Sequence, residues 1–235
     1  MISFLSNPSD YLASPHLFGE LTEKNQLTLI ESCLDKGEEG LAELIRFLHD
    51  RSTHPPTLAM GKAYQALFNS SSSHARHFLE VHLPSGITPL VSAHGLDYSQ
   101  LHHLLATRNF QDADRLTLGK LCELSGEQAV KRNWIYFSEV NHFSVIDLQT
   151  INSLWFFYSE GRFGFSVQRE LWLGVGKDWE KLWKKIGWKN SNIWTRYPQE
   201  FTWDLTAPRG HLPLSNQLRG VQVMKALLTH SAWEV

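Results

Sequence analysis

The sequence predicts an all-α chain of two domains, a small N-terminal helical bundle and a larger all-helical core with a long aromatic loop. Apolar residues recur at helical spacing along most of the chain, and no strand-period run is strong. Composition changes along its length: residues 1–92 hold 7 aromatics and residues 93–235 hold 21, including all nine tryptophans. Charge changes with it, from a net −4 in the first part to +2 in the second. The stretch PSGITPLVS at 84–92 has two prolines, a glycine and no helical period. The expected division is therefore a bundle at 1–84, a linker at 85–92 and a core domain at 93–235.

In the first part, Leu21, Leu27, Ile30 and Leu34 share one helical face, and Leu41, Leu44, Ile45 and Leu48 share another. After the break HPP at 54–56, Leu58, Tyr64, Leu67 and Phe68 make a third helix, and Phe78, Leu79 and Val81 suggest a fourth beyond the serine loop at 70–73. In the second part, DYSQLHHLLATRN begins at an N-cap, Asp97, and FQDADRLTLGKLCELSG stops at Gly126. Further helices are expected in DLQTINSLWFFYSEG (capped by Asp147), in FSVQRELWLGVG, in KDWEKLWKKIG, and from Pro213 through PLSNQLRGVQVMKALLTH. GRFGF and EFTWDL are the one place where strands would pair. Residues 187–212 have no period but hold Trp188, Trp194, Tyr197, Phe201 and Trp203, so this long loop is the expected binding region.

Several function classes are excluded at once. A chain of 235 residues with 42% apolar and 20% charged residues buries a core and is not disordered. A net charge of −2 argues against a dedicated polyanion binder. Cys33 and Cys122 are too few for a disulfide framework or a four-cysteine zinc site. No apolar run approaches the roughly 20 residues that span a bilayer, and the N-terminus has no signal or transit pattern. The expectation is a soluble, untargeted protein in a reducing compartment.

No catalytic motif is present: no nucleophile elbow, P-loop, dinucleotide fingerprint or zincin helix. His74 and His77 read as a polar helix face without companion ligands, and Cys122 as a core residue. The Trp/Lys-rich segment 177–196 carries more information. It interleaves Trp179, Trp183, Trp188 and Trp194 with Lys181, Lys184, Lys185, Lys189 and Arg196. Three ligands suit that mixture: single-stranded nucleic acid, an anionic membrane surface, or a flat anionic aromatic molecule. The i, i+4 spacing of Trp179 and Trp183 equally fits a core stripe with lysines on the wet face.

The stretch DLQTINSLWFFYSEGRFGFSVQRELWL at 147–173, then GW at 187–188 and APRGHLP at 207–213, resembles the genomes-uncoupled-four family, tetrapyrrole-binding regulators of magnesium chelatase. The earlier DYSQLHHLLATRNFQDADRLT resembles the family's opening helices, so the likeness spans residues 93–233. It implies a cupped porphyrin-binding core that takes protoporphyrin IX and Mg-protoporphyrin IX. It also implies a protein that is no enzyme itself but stimulates magnesium chelatase by associating with its large porphyrin-binding subunit. The end at HSAWEV implies the cyanobacterial type, cytoplasmic or thylakoid-associated, with no nucleic-acid partner. On this reading Phe137, Val140, Trp194, Tyr197 and Leu212 cover the ring faces. Arg219 binds a propionate, and Asn216 or His211 is an axial contact to porphyrin magnesium. The sequence departs from the family pattern at Gln222 and Leu118, where relatives carry cations, and at Tyr197, where others have tryptophan.

Overall fold

The computed structural model describes Phe18 and residues 21–214 and 221–234. The chain separates into two compact units, residues 1–88 and 89–235. Among the described residues no helix is long and apolar enough to cross a membrane.

The first unit holds α1 (Glu23–Leu34), α2 (Glu38–Arg51), α3 (Leu58–Phe68) and α4 (Ser73–His82). Helix α3 is the axis: eight of its 11 residues are buried, and it packs on each of the other three. It starts where Thr57 accepts the Met60 N–H, and α4 starts where Ser72 accepts the Ala75 N–H. Ile30, Leu44, Leu48, Tyr64 and Leu67 fill the centre. Gly40 is required where α2 meets the end of α1, because a Cβ there would stand 1.8 Å from the Cys33 carbonyl oxygen. Burial pushes the Cys33 thiol up to about 11, so it is inert.

The second unit holds α5 (Ser99–Ala106), α6 (Phe110–Ser125), α7 (Glu127–Arg132), α8 (Phe137–Val140), α9 (Val145–Phe157), α10 (Phe165–Gly174), α11 (Trp179–Lys185) and α12 (Gln222–Leu228). A 3₁₀ turn at Ser231–Trp233 follows. Helix α9 touches α5, α10 and the 3₁₀ turn, burying Leu148, Ile151, Leu154 and Trp155. The Trp155 Nε1–H donates to Thr117 Oγ1 at 2.9 Å, joining α9 to α6. Asp147 is not the cap of α9, as expected, but lies inside it; the Ser144 hydroxyl accepts the Ile146 N–H instead. The buried Asp147 carboxylate accepts from the Tyr98 hydroxyl at 2.8 Å and from the Ala93 N–H at 3.1 Å. Helices α7 and α8 are too short to show a period, which is why the sequence does not announce them. The expected GRFGF/EFTWDL pairing does not form. A two-stranded antiparallel ladder, β1 (Lys189–Asn190) with β2 (Ile193–Trp194), forms instead, in register Lys189↔Trp194.

Candidate functional site

Residues 187–212, expected as a long loop without helical period, form with 213–214 a packed, hydrogen-bonded wall. Trp188, Ala207 and Leu212 are fully buried, and Phe201 nearly so. The Trp188 Nε1–H donates to the His211 carbonyl at 2.7 Å, and Thr195 Oγ1 donates to the Gly187 carbonyl at 2.9 Å. Arg162 donates to the Ala207 carbonyl at 2.7 Å, and Arg209 makes a two-pronged pair with Glu170. The peptide bonds before Pro198 and Pro213 are cis. Gln168, fully buried on α10, donates through Nε2 to the carbonyls of Gly210 at 3.0 Å and Pro213 at 2.9 Å. A long segment without helical period stays ordered here because α10 and the 159–164 turn supply the partners its backbone lacks.

This wall carries an aromatic cluster. Phe201 lies between the His211 ring at 4.6 Å and the Trp203 ring at 5.7 Å, with Tyr197 edge-on at 5.5 Å. Tyr197, Trp203 and Trp194 are half-buried, so each keeps open surface. Trp194 packs on Trp183 and carries the Lys189 ammonium over its ring at 5.3 Å. Behind it, Trp172, Trp179, Trp183 and Trp188 stack in series at 4.9, 5.3 and 5.4 Å. Trp183 is thus covered by its neighbours, so this stretch offers no row of free indoles on which bases would stack.

The predicted site residues divide accordingly. Tyr197, His211 and Trp194 belong to this wall, while Phe137 and Val140 belong to α8, which packs on α12. Phe137 is 51% exposed beside Tyr136 at 49%. Val140 and Leu212 are fully buried and show no face to a ligand. His211 requires a correction. Its Nδ1 lies 2.7 Å from the Ile186 carbonyl and so carries the proton, and its Nε2 accepts the Thr202 N–H at 3.3 Å. Both nitrogens are engaged, and burial lowers its pKa, so this histidine is a neutral crosslink and offers nothing to a porphyrin metal. Asn216 and Arg219 lie outside the described residues. Among the described residues no three His, Cys, Asp or Glu side chains gather as a metal-binding set.

Three groups escape the sequence reading. Arg132 lies beside the edge-to-face pair of Trp134 and Tyr136, 4.8 Å from the first ring and 4.5 Å from the second, and is paired with Glu139. The spacing RNWIY signals that cation–aromatic cluster, although nothing in it signals Glu139. Gln168 and Asp114 look like ordinary helical polar residues in the sequence. In the fold, Asp114 is 2% exposed and accepts the Leu214 N–H at 2.6 Å. Burial raises its pKa to about 7, against the lowering effect of its bonds to Leu214 and the Tyr197 hydroxyl.

Comparison with known proteins follows the same two units. Residues 91–231 match the family described as GUN4-like, and residues 6–84 match one described as ARM-like repeat domain, GUN4-N terminal. A Ycf53-like protein of Synechocystis sp. is 49% identical over 215 residues, covering 91% of this chain and 92% of the relative. A tetrapyrrole-binding, chloroplastic protein of Arabidopsis thaliana is 43% identical over 145 residues, covering 58% of this chain and 55% of that one. The structure of GUN4 from Chlamydomonas reinhardtii aligns with a TM-score of 0.59 at 42% identity, covering 63% of this chain and 95% of that one. Ligand-free Arabidopsis thaliana GUN4 gives 0.54 at 42%, covering 61% and 99%. With one family model spanning more than half of its length and a close relative matching almost end to end, the chain belongs to the GUN4 (genomes-uncoupled-four) family.

Proposed function

We propose that the second unit binds a tetrapyrrole, with protoporphyrin IX and Mg-protoporphyrin IX as its ligands. We further propose that the protein is a non-catalytic regulator that stimulates magnesium chelatase through the enzyme's large porphyrin-binding subunit. The observation that carries this reading is the set of aromatic faces left open on a firmly held frame: Trp194, Tyr197 and Trp203 half-buried, Tyr136 and Phe137 exposed. The tetrapyrrole-binding relative in Arabidopsis supports it. A porphyrin has two large apolar faces. Covering one removes a few hundred Å² from water, which at ~25 cal/mol per Å² is several kcal/mol before ordering costs.

The propionates call for a cation. Arg219 takes that role in this reading, because a guanidinium binds carboxylates bidentately. The Asn216 amide oxygen would be the contact to the magnesium of a bound porphyrin, a hard ion that favours oxygen. The protein works in the cytoplasm, with peripheral contact to the thylakoid surface. The test is a titration of the full chain with protoporphyrin IX followed in the Soret band, together with chelatase turnover with and without the chain. A saturable shift with quenched tryptophan emission and faster turnover is expected. Turnover of porphyrin by this chain alone, or no Soret change, refutes the reading.

A further inference from the structure

Helix α10 serves two places at once. Gln168 holds the wall and Trp172 joins the tryptophan stack. Ser166, Arg169 and Leu173, spaced i, i+3 and i+7, instead line a cavity of about 550 Å³. Helix α9 contributes Asn152 and Ser153 to it, and the 3₁₀ turn contributes Trp233. That size suits a small organic molecule. None of the described residues assigned to the tetrapyrrole lines it.

The frame is fixed before any ligand arrives. Gln149 on α9 donates to the Ala232 carbonyl at 3.1 Å, and the Trp233 indole N–H donates to the Leu227 carbonyl at 2.6 Å. The Trp233 ring also packs near Phe165, with centroids 6.5 Å apart. A preformed cleft spares a ligand much of the cost of ordering it.

The polar groups around this cavity are unevenly served. Asn152 Oδ1 accepts the Ser166 N–H at 2.9 Å, which leaves the Nδ2 hydrogens without an acceptor among the described residues. The Arg169 guanidinium, half-buried, has neither an ion pair nor a hydrogen bond among the described residues. The adjacent acid, Glu170, is taken by Arg209 in their two-pronged pair. The cavity therefore offers an uncompensated cation and idle donors beside apolar surface from Leu173 and the Trp233 ring. A carboxylate satisfies a guanidinium and neighbouring donors together. One cation balances one negative charge, and a dianion would leave its second charge unpaired.

We propose that this cavity is a second ligand site, taking a small monocarboxylate with a flat apolar body, the carboxylate on Arg169 and the body against Trp233 and Leu173. It does not depend on the tetrapyrrole reading.

The test uses the full chain with phenylpropionate as probe, followed at pH 7 by the Trp233 indole N–H and Arg169 Nε–H signals in proton–nitrogen NMR spectra. Both signals should shift saturably. Arg169→Met keeps the stem and removes the charge, and it should weaken the probe about tenfold or more. Arg169→Lys keeps the charge without the fork and should fall between the two. Phenylpropionamide, the same body without the charge, should bind the wild type about tenfold more weakly than the acid, and Arg169→Met should not distinguish the two. Acetate, which lacks the body, should bind the wild type more weakly than the probe. No saturable shift of the Arg169 signal in the wild type, equal binding of acid and amide, or wild-type affinity in a folded Arg169→Met overturns the proposal. If Arg169→Met does not fold, the comparison of acid with amide on the wild type decides. Phenyl phosphate bound more tightly than the probe overturns the choice of a monocarboxylate, and acetate bound as tightly as the probe overturns the role of Trp233. The Soret titration with protoporphyrin IX is a separate readout, so failure of this site and failure of the tetrapyrrole reading are told apart.

Discussion

Gln168 offers the sharpest test of why a segment without helical period is held still. Its Nε2 binds the Gly210 and Pro213 carbonyls, which bracket His211 and Leu212. Gln168→Met keeps the shape and removes the donor. Each carbonyl left buried and unpaired costs about 1–3 kcal/mol. The Oε1 of Gln168 is itself buried without a partner among the described residues, so its removal returns one such penalty. The net loss should be about 1–3 kcal/mol. Gln168→Glu is a harsher change, because a carboxylate would face two carbonyl oxygens and its folded-state pKa would rise. Stability that depends on the protonated form is present at low pH and lost as pH rises through that pKa, so Q168E should be worse at pH 8 than at pH 5. Urea unfolding followed by tryptophan emission is the assay. All nine tryptophans lie at or beyond Trp134, so the signal reports the second unit alone. A Q168M midpoint within about 0.5 kcal/mol of wild type, or a Q168E penalty that ignores pH, would refute the reasoning.

Other expectations are as direct. Gly210→Ala, at φ +81° with its Cβ 2.7 Å from Leu171 Cδ1, should cost about 2–4 kcal/mol in the same assay. His102, buried against the Tyr158 hydroxyl at 2.9 Å, has its pKa lowered to about 4 by burial. Its contribution is full above the unfolded value of 6.5 and lost as pH falls toward 4, a difference of about 3 kcal/mol. Asp114 pulls the opposite way over part of that window, so the measurement is the difference between wild type and H102Q at pH 7 and pH 4.5. Arg219→Ala should weaken protoporphyrin IX by about 1.5–3 kcal/mol and spare its dimethyl ester, and equal losses for both would make Arg219 structural. A fragment of residues 89–235 should keep the Soret shift. One starting at 97 should be less stable to urea, since it lacks the Ala93 N–H and Val91 carbonyl that meet Asp147 and Thr150.

The helices were legible because their apolar stripes are long. Leu58 to Phe68 as the whole of α3 follows from spacing alone, whereas the buried face of α1 is Leu29, Ile30 and Cys33 rather than the expected Leu21, Leu27, Ile30 and Leu34, and Leu34 is 47% exposed. Gly126 ends α6 as its position suggests. What the sequence hides is long-range polar pairing. Asp147 resembles a cap, but its partners lie 49 and 54 residues away. His211 resembles a free loop histidine, but its two acceptor and donor partners come from Ile186 and Thr202. The order of 187–214 arises from Gln168 and Arg162, on other elements, and no local pattern encodes that. The aromatics of the site were legible as a group, while which of them are open and which are core was decided by packing.

The tryptophan series behind the wall also has an optical consequence. Trp183 and Trp188 are 7° from parallel at 5.4 Å, and Trp172 and Trp179 continue the stack. Indoles that close couple through their strong far-ultraviolet transition, so the series should give a pair of dichroism bands of opposite sign there, set by how the ring axes are rotated against one another. The stack runs from α10 through α11 into the first residue of the wall that faces His211. A rotation of α11 by a few degrees would change that band pair before any helix content was lost. The protein therefore carries an intrinsic gauge of how its wall sits on its frame, readable without a label and independent of absorption in the Soret region.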